Sequence, residues 1–344
     1  MKDDFHYYLI YALAAKTGWN NDLGNEETEA DIIAYASQYV DDNTETQAIG
    51  VKEDDLPTVD YDIMKIDEII SKEIQRYQGF PWKVRIGNKG DFFRPIMTQT
   101  VSLKSLVPIF QQYVIVPFHF LPGDKEKIPE IRGRKNPYST TPNSTNSVKI
   151  LKDAFDSGDI YRIGVALHTF VDTWSHQNFT GYEDDWNRVQ KDLRSLIPDV
   201  GHAEVMTKPD TISETWTDSR LPMEKQNINN ADRAREAVRE SFQWLSKYRN
   251  ARMTWEDVRA DFDQLIAAKN TKERIKMVEK MYPDKQFAYK EKEKKTWIKE
   301  AVERDKKKAE FFGTQNFFNS HWYKFQLAAK KQLSTVVNML ADII

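Results

Sequence analysis

The segment LHTFVDTWSH, residues 167–176, carries three potential metal ligands at helical spacing. In an α-helix, side chains four residues apart lie on nearly one face, so His168, Asp172 and His176 form a column about 12 Å long. One zinc ion, with ligand distances of about 2.1 Å, cannot be reached from both ends of that column. The segment therefore predicts a helix and, if all three side chains bind metal, at least two ions.

The absence of cysteine limits what such a site can contain. Thiolate zinc sites, cysteine nucleophiles and disulfides are excluded, so any metal must be held by nitrogen and oxygen atoms. The 50 basic and 53 acidic residues give a formal net charge of -3. That balance argues against a strongly basic nucleic-acid-binding protein.

Helical patterns dominate the sequence and strand signals are few, so we predict an all-α fold, a multi-helix domain around a metal cluster. The predicted helices cover residues 5–16, 27–41, 62–78, 148–157, 159–177 and 321–343, together with a highly charged helical stretch over 230–310. Residues 101–120 fit either a buried helix broken near Pro117 or a strand. We expect irregular structure over 122–147 and 195–228, because both segments contain several prolines.

These patterns suggest two parts, a metal-binding helical domain over 1–228 and a charged helical region over 229–344 that packs on it. Charged runs at 290–295 and 305–308 are predicted to form solvated helix faces. The sequence lacks the features of a signal peptide, and none of its segments approaches the roughly eighteen apolar residues of a transmembrane helix. We therefore expect a cytoplasmic protein, with export by a route that needs no signal peptide as the alternative.

Three further histidines, His6, His119 and His202, lie in apolar or turn-like surroundings. A single histidine in such surroundings is more often a hydrogen-bonded core residue than a metal ligand. Five of the six histidines share this character, however, and buried unpaired imidazoles are costly, whereas a shared metal satisfies several at once. His321 has the position of a helix-start residue, and we do not expect it to bind metal.

Carboxylates that suit such a site occur in two places. Asp41 and Asp42 end a predicted amphipathic helix, where negative charge opposes the helix dipole and a nearby cation would resolve the conflict. Glu204 and Asp210 follow His202 in the irregular region. The pair Asp41 and Asp42 and the pair Glu204 and Asp210 therefore each contain at least one candidate metal ligand.

Four segments together resemble the zinc-dependent phospholipase C and single-strand nuclease superfamily, and more closely an uncharacterised bacterial family related to it. They are ASQYVDD at 36–42, FHFLPG at 118–123, LHTFVDTWSH at 167–176 and GHAE at 201–204. The matching motifs run from about residue 3 to residue 215, roughly the first two thirds of the chain.

The resemblance implies an all-α fold around two or three zinc ions. One ion would be held by His119, His168, Asp172 and either Asp41 or Asp42. Another would be held by His6 and Asp172, and the remaining ion by His176, His202 and either Glu204 or Asp210. Exported members of the superfamily complete the second of these ions with their mature N-terminal residue; here either Asp4 takes that place or the ion is absent.

From these observations we expect a metal-dependent phosphodiester hydrolase, with zinc as the metal and a phospholipid or a nucleic acid as the substrate. Asp41 or Asp42 would orient or deprotonate the attacking water. The alternative is a non-catalytic helical protein that binds a structural metal or a partner. A closed site with four protein ligands would favour that alternative, whereas an open site favours catalysis.

Overall fold

The structure, a computed structural model, describes residues 1–24, 26–45, 49–51, 64–66, 68, 92–100, 103–189, 198–287, 289, 296–305 and 310–341. Within these residues the chain is mostly helical. The main helices are α1 (Ile10–Lys16), α2 (Glu29–Asp42), α3 (Thr145–Ser157), α4 (Ile160–Ser175), α5 (Asn230–Arg249), α6 (Trp255–Ile266), α7 (Thr271–Met281) and α8 (His321–Leu340). Shorter helical segments are Asp4–Leu9 and Gln111–Ile115, both π-helical, and Leu103–Leu106, Pro108–Phe110, Val116–Phe118, Asp185–Asn187, Ala203–Val205, Met223–Lys225, Thr296–Ala301 and Phe317–Asn319.

Short strands make the fold mostly helical rather than strictly all-α, which corrects the prediction. The strands are β1 (Asp22–Gly24), β2 (Glu27–Thr28), β3 (Ile49–Gly50), β4 (Phe92–Phe93), β5 (Thr215–Thr217), β6 (Asn227–Asn229), β7 (Val302–Asp305) and β8 (Glu310–Gly313). Two antiparallel pairs, β1–β2 and β5–β6, stand apart from a four-stranded sheet of order β4-β3-β8-β7. In that sheet β3 pairs in parallel with β8, with Ile49 opposite Phe311.

The helix that carries the ligand column begins and ends where the sequence indicates. Asp159 accepts hydrogen bonds from the backbone N–H groups of Tyr161 and Arg162, which caps the first turn of α4. The preceding helix α3 ends at Gly158, which has a left-handed conformation (φ 68°) that suits glycine. The predicted break between 148–157 and 159–177 is therefore confirmed.

Helix α4 lies at the centre of the molecule and packs against α2, α3, α5 and α8. Gly164 allows the closest of these approaches, because a Cβ atom there would lie 2.5 Å from the carbonyl oxygen of Ile33 and 2.7 Å from Ala36 Cβ, both in α2. This approach brings the C-terminal half of α2 against the ligand-bearing half of α4. The candidate site forms along that contact.

Two hydrophobic clusters support the site from different sides. The larger cluster contains the buried faces of α1, α2 and α4 together with residues such as Val238 and Leu333 from the C-terminal part. The smaller cluster lies beneath the irregular segments and includes Phe120, Trp186 and Trp216. Because the larger cluster contains residues on both sides of position 228, the described C-terminal helices share a core with the first part; the proposed boundary itself stays a prediction.

Several predicted segments have a different form in the structure. The helical stretch predicted over 230–310 is confirmed for most of its described residues, which form α5, α6, α7 and Thr296–Ala301; the exceptions are the turns between them and the strands β7 and β8. The described part of 101–120 consists of short helical turns and not a strand. The charged run at 290–295, most of the run at 305–308 and most of the helix predicted over 62–78 lie outside the described residues. Among the described helices, none is long and apolar enough to cross a bilayer.

Candidate metal centre

Histidine and aspartate side chains from five separate parts of the chain converge into three groups of possible metal ligands. The groups are His6, His168 and Asp172; Asp41, His119 and His168; and His176, His202 and Asp210. In each group the three donor atoms lie within 4.8 Å of one another. His168 belongs to two of the groups, so two of them are adjacent.

Asp172 lies at the centre of this arrangement, and its side chain is 1% exposed. Its Oδ1 atom lies 3.1 Å from His6 Nε2. Its Oδ2 atom lies 3.3 Å from His119 Nδ1 and 3.2 Å from His168 Nε2. The amine of Met1 also contacts Asp172 Oδ1, at 2.5 Å, and lies 3.3 Å from Asp210 Oδ1. One carboxylate thus faces donors from four segments.

Backbone carbonyl groups orient four of the five histidines. A carbonyl oxygen can only accept a hydrogen bond, so the ring nitrogen that contacts it carries the proton, and the other nitrogen of the neutral ring is free to bind a metal. His168 Nδ1 donates to the carbonyl of Ser37 at 2.8 Å, and His119 Nε2 donates to the carbonyl of Thr98 at 2.8 Å. His176 Nδ1 donates to the backbone carbonyl of His119 at 2.7 Å, and His202 Nδ1 donates to the carbonyl of Met206 at 2.7 Å. In each case the second nitrogen faces the carboxylates.

His6 is the histidine without such support. Its ring is fully buried; within the described part of the chain Nδ1 has no hydrogen-bond partner, and Nε2 faces Asp172 Oδ1 at 3.1 Å. Its ring stacks on that of His168 with 3.9 Å between centroids. Burial, with the neighbouring His168 and the Met1 amine, lowers the pKa of His6 to about 3, so the ring is neutral. A buried imidazole nitrogen with no partner is costly unless a cation binds it.

The carboxylates of the site are ionised. Burial alone would raise the pKa of Asp172, but His176, the Met1 amine and His168 outweigh it and hold that pKa well below its ordinary value. For Asp210 the Met1 amine and His202 likewise outweigh burial, and its pKa is also held well below the ordinary value. The centre therefore presents ionised carboxylates beside the neutral ring of His6.

The third group differs from the other two in its exposure. His176 Nε2 lies 3.0 Å from Asp210 Oδ1, and His202 Nε2 lies 3.3 Å from Asp210 Oδ2. The side chains of Asp210 and His202 are 15% and 16% exposed. Phe120 stacks on the ring of His176 with 4.3 Å between centroids and so fixes one face of that ring. Two of its three side chains are partly exposed, whereas only Asp41, at 24%, is partly exposed in the group that it forms with His119 and His168.

All three groups border one cavity of about 680 Å³. One wall carries the polar side chains Asp41, His119, Asp172, His176, His202 and Asp210. Apolar side chains also line the cavity, among them Leu106, Ile115, Phe120, Val200 and Met206. The candidate ligands that line the cavity are therefore accessible from it.

The sequence left two choices of carboxylate ligand open, and the structure distinguishes the members of each pair. Asp41 belongs to one of the groups, whereas Asp42 belongs to none and accepts a hydrogen bond from Gln38 Nε2 at 3.2 Å. Asp210 joins the third group, whereas Glu204 accepts a hydrogen bond from the backbone N–H of Val189.

Two other residues lie away from the centre. Asp4 forms a buried ion pair with Arg274 and does not join the groups. His321 contacts Tyr161 Oη at 2.7 Å and Glu27 at 3.1 Å, and so lies outside the centre as expected.

Sequence reasoning missed two residues at the centre. The Met1 amine was not among the expected contacts, although the N-terminal residue that completes one ion in the exported members of the superfamily was a signal for it. Gln99 donates to Asp41 Oδ1 at 3.2 Å and lines the cavity, but a lone glutamine in a loop carries no spacing signal. Gln99 is found only from the three-dimensional arrangement.

The donor set fits a metal ion. It consists only of imidazole nitrogens and carboxylate oxygens, which suits zinc in the absence of cysteine. The unpartnered Nδ1 atom of His6 and the crowding of ionised carboxylates are the features that a bound cation would satisfy.

Comparison with known proteins places the chain in a family without assigning it an activity. No curated protein and no solved structure matches the chain. The model of a family of unknown function, DUF6765, matches residues 1–340 and so covers both the metal centre and the C-terminal helices. The chain therefore belongs to DUF6765, a family of unknown function.

Proposed function

We propose that this chain is a zinc-dependent phosphodiester hydrolase, the function implied by the resemblance of its histidine and aspartate motifs to the zinc-dependent phospholipase C and single-strand nuclease superfamily. The observation that carries the proposal is the convergence of three donor groups around Asp172 at the wall of an open cavity. Two adjacent groups that share His168 suit a pair of ions, and the third suits a separate ion.

Each residue of the centre then has a definite task. Asp41, His119, His168 and Asp172 would hold one ion, His6 with Asp172 a second, and His176, His202 and Asp210 a third. Zinc ions in such a site supply positive charge that polarises a phosphoryl group and lowers the pKa of water. Asp41 lines the cavity and is 24% exposed, which supports its carboxylate as the group that would orient or deprotonate the attacking water.

The walls of the cavity favour a phospholipid over a nucleic acid. A nucleic acid carries a charge at every nucleotide, and proteins bind it with lysine and arginine side chains along the backbone. Among the described residues that line the cavity there is no lysine or arginine, and three aspartates are present. The apolar wall of Leu106, Ile115 and Met206 suits the hydrocarbon part of a lipid better than a chain of phosphates.

The alternative, a non-catalytic metal-binding or partner-binding protein, is less well supported. A structural zinc site is closed by four protein ligands, whereas a catalytic site keeps a position open to substrate. Here the side chains of Asp41, His202 and Asp210 are partly exposed and border the cavity. The openness of the centre is the observation that separates the two functions.

The test combines metal content with activity. Protein purified without chelators is analysed for zinc, and hydrolysis of bis-p-nitrophenyl phosphate is followed for the wild type, His168→Ala and the control His321→Ala. We expect two or three zinc ions per chain, and a loss of kcat/KM greater than about 100-fold for His168→Ala only, since even supporting residues of metal sites contribute 10-fold to 100-fold.

Two results would contradict the hydrolase assignment. One is wild-type protein without zinc; the other is equal activity in both histidine variants. A panel of short-chain phosphatidylcholine, single-stranded DNA and RNA then tests the substrate class. Faster hydrolysis of either nucleic acid would overturn the preference for phospholipid while leaving the hydrolase assignment intact.

A further inference from the structure

Residues 96–100, here called the strap, connect two ligands of the metal centre that come from different elements. The carbonyl of Thr98 accepts the hydrogen bond from His119 Nε2 at 2.8 Å. The next residue, Gln99, donates from its side chain to Asp41 at 3.2 Å. The strap thus contacts one donor on the loop after Val116–Phe118 and one in the last turn of α2.

A buried hydrogen-bond network holds the strap in place. The carbonyl of Asn43 accepts from the backbone N–H groups of Thr98 and Gln99, and its side-chain Nδ2 donates to the carbonyl of Ile96. Gln326 of α8 donates to Asn43 Oδ1 at 3.1 Å and accepts from the N–H of Ile96 at 2.9 Å. Asn43, Thr98 and Gln326 are each 0% exposed. A satisfied buried network of this kind fixes a unique conformation.

The side chain of Gln99 has only one orientation that satisfies its neighbours. The backbone N–H of Thr100 can only donate, and it lies 2.7 Å from Gln99 Oε1. The amide oxygen is therefore turned toward Thr100, and the NH₂ group is turned toward Asp41 Oδ1. Gln99 is held as a donor aimed at the carboxylate.

The Asp41 carboxylate needs such a partner because it lies between two groups of ligands. Its Oδ1 atom lies 3.8 Å from both His119 Nδ1 and His168 Nε2, and its Oδ2 atom lies 4.0 Å from His6 Nε2. The side chain is at the C-terminal end of α2, where the helix dipole disfavours a negative charge. A donor on Oδ1 fixes the rotation of the carboxylate, so that Oδ1 faces His119 and His168 while Asp41 still lines the cavity.

We propose that Gln99 is a positioning residue that fixes the Asp41 carboxylate for metal binding, with the strap as its support. This inference rests on the proposed metal centre. Gln99 acts through Asp41 and does not itself bind the ion. The strap also positions His119 through Thr98, so one segment sets the relative placement of two ligands of the same ion.

The chain offers a matched control for this inference. Gln38 donates to Asp42 Oδ2 at the same distance, 3.2 Å, as Gln99 donates to Asp41. Both acceptors lie in the last turn of α2, but Asp42 belongs to none of the ligand groups among the described residues. Gln99→Met therefore removes a hydrogen-bond donor from Asp41, which belongs to a ligand group, and Gln38→Met removes the same kind of donor from Asp42, which does not.

Zinc affinity is measured for wild type, Gln99→Met, Gln99→Ala and Gln38→Met by competition with a chromophoric chelator, and the visible spectrum of the cobalt-substituted proteins is recorded. We expect both Gln99 variants to bind one equivalent of zinc 10-fold to 100-fold more weakly than wild type, which is the range found for residues that orient metal ligands. The visible spectrum of the cobalt ion at the same site should also change. Gln38→Met should match wild type in both measurements. Circular dichroism confirms that each variant is folded.

Three outcomes would overturn the inference. Wild-type affinity in both Gln99 variants would show that Asp41 needs no positioning, and an equal loss in Gln38→Met would show a general effect on α2. Wild-type protein that binds no zinc would remove both the inference and the proposed function. The first of these outcomes, in a wild type that binds zinc, would remove the inference alone.

Discussion

The two sides of the candidate metal centre are built in different ways. The inner side, formed by His6, His168 and Asp172, lies on helical elements of the large hydrophobic cluster, and these side chains are at most 1% exposed. The outer side takes His202 and Asp210 from an irregular segment above the smaller cluster, and these are about 15% exposed. Ligand side chains on helices of the core can move only if the core rearranges. The positions of ligand side chains on an irregular segment depend on local turns. We therefore expect tight inner metal binding and a more easily removed outer ion.

The largest effect should follow from replacing the shared inner carboxylate. Asp172→Asn keeps the size of the side chain but removes the charge that faces His6, His119 and His168. We expect the loss of at least one zinc ion and a decrease in kcat/KM greater than about 100-fold, beyond the range for supporting residues. Zinc analysis and hydrolysis of bis-p-nitrophenyl phosphate measure both. Asp42→Asn is the control and should match wild type. If Asp42→Asn lost as much zinc and activity as Asp172→Asn, the choice of Asp41 and not Asp42 as a metal ligand would be contradicted.

A second prediction compares the ion pairs of the two sides. Asp4, two residues before His6, pairs with Arg274, and both side chains are at most 1% exposed. Arg274→Met leaves a buried charge without its partner, so the free energy of unfolding should fall by about 3–5 kcal/mol. Arg134, which pairs with Asp184 and Asp185 near the outer side, is 46% exposed, and Arg134→Met should cost less than about 1 kcal/mol.

Urea denaturation of the metal-free proteins measures both values. A similar loss in the two variants would show that the inner side is no more dependent on the core than the outer side. Because the π-helical turn Asp4–Leu9 carries both Asp4 and His6, Arg274→Met should also weaken zinc binding, while Arg134→Met should leave it unchanged.

A smaller effect is expected at the outer group. Asp210 contacts both His176 and His202, so Asp210→Asn should remove one zinc ion and leave the affinity of the others unchanged. The expected decrease in kcat/KM is about 10-fold to 100-fold, less than for Asp172→Asn. Stepwise removal of zinc by a weak chelator should release the same single equivalent from wild type first. Release of all ions together would contradict the division into two sides.

The smallest effect concerns pH. Burial alone would lower the pKa of His119, but its hydrogen bond to Asp172 and the charges of Asp41 and Asp172 outweigh burial and raise that pKa above 6.5. Zinc must displace this proton, so inner affinity should fall about tenfold per unit as pH drops below the pKa of His119, and should level off above it. Burial lowers the pKa of His202, so outer affinity should change less over the same range.

Zinc titrations between pH 5.5 and 8.5, about the range in which histidine titrates, provide the measurement. His119→Gln should bind more weakly but lose most of the pH dependence of the inner site. Equal pH dependence at both sides would contradict the distinction drawn from the surroundings of His119 and His202.

The inner side was the more predictable from sequence, for a physical reason. The spacing of His168 and Asp172 follows directly from helix geometry, and α4 carries both within one ligand group. His176 lies just after the end of α4 and joins the outer group. The choice between Asp41 and Asp42 was not accessible, because adjacent helix residues point in directions about 100° apart and only the packing of α2 on α4 selects one.

Most features that could not be predicted from the sequence depend on contacts between segments that are far apart along the chain. Strands β7 and β8 lie in a charged stretch with a helical pattern, and they form a sheet with Ile49 and Phe93, more than two hundred residues away. The buried contact between Asn43 and Gln326 joins equally distant segments. Neither side chain has a periodic signal, so the support of the strap emerges only once the helices are assembled.

The central claim is that the three donor groups bind cations, and X-ray diffraction at the zinc absorption edge from crystals grown with zinc tests it most directly. The account predicts anomalous peaks beside Asp172, two within the inner groups and one between His176, His202 and Asp210. A map without anomalous density among these side chains, with His119, His168, His176 and His202 paired only to their backbone carbonyls, would contradict it.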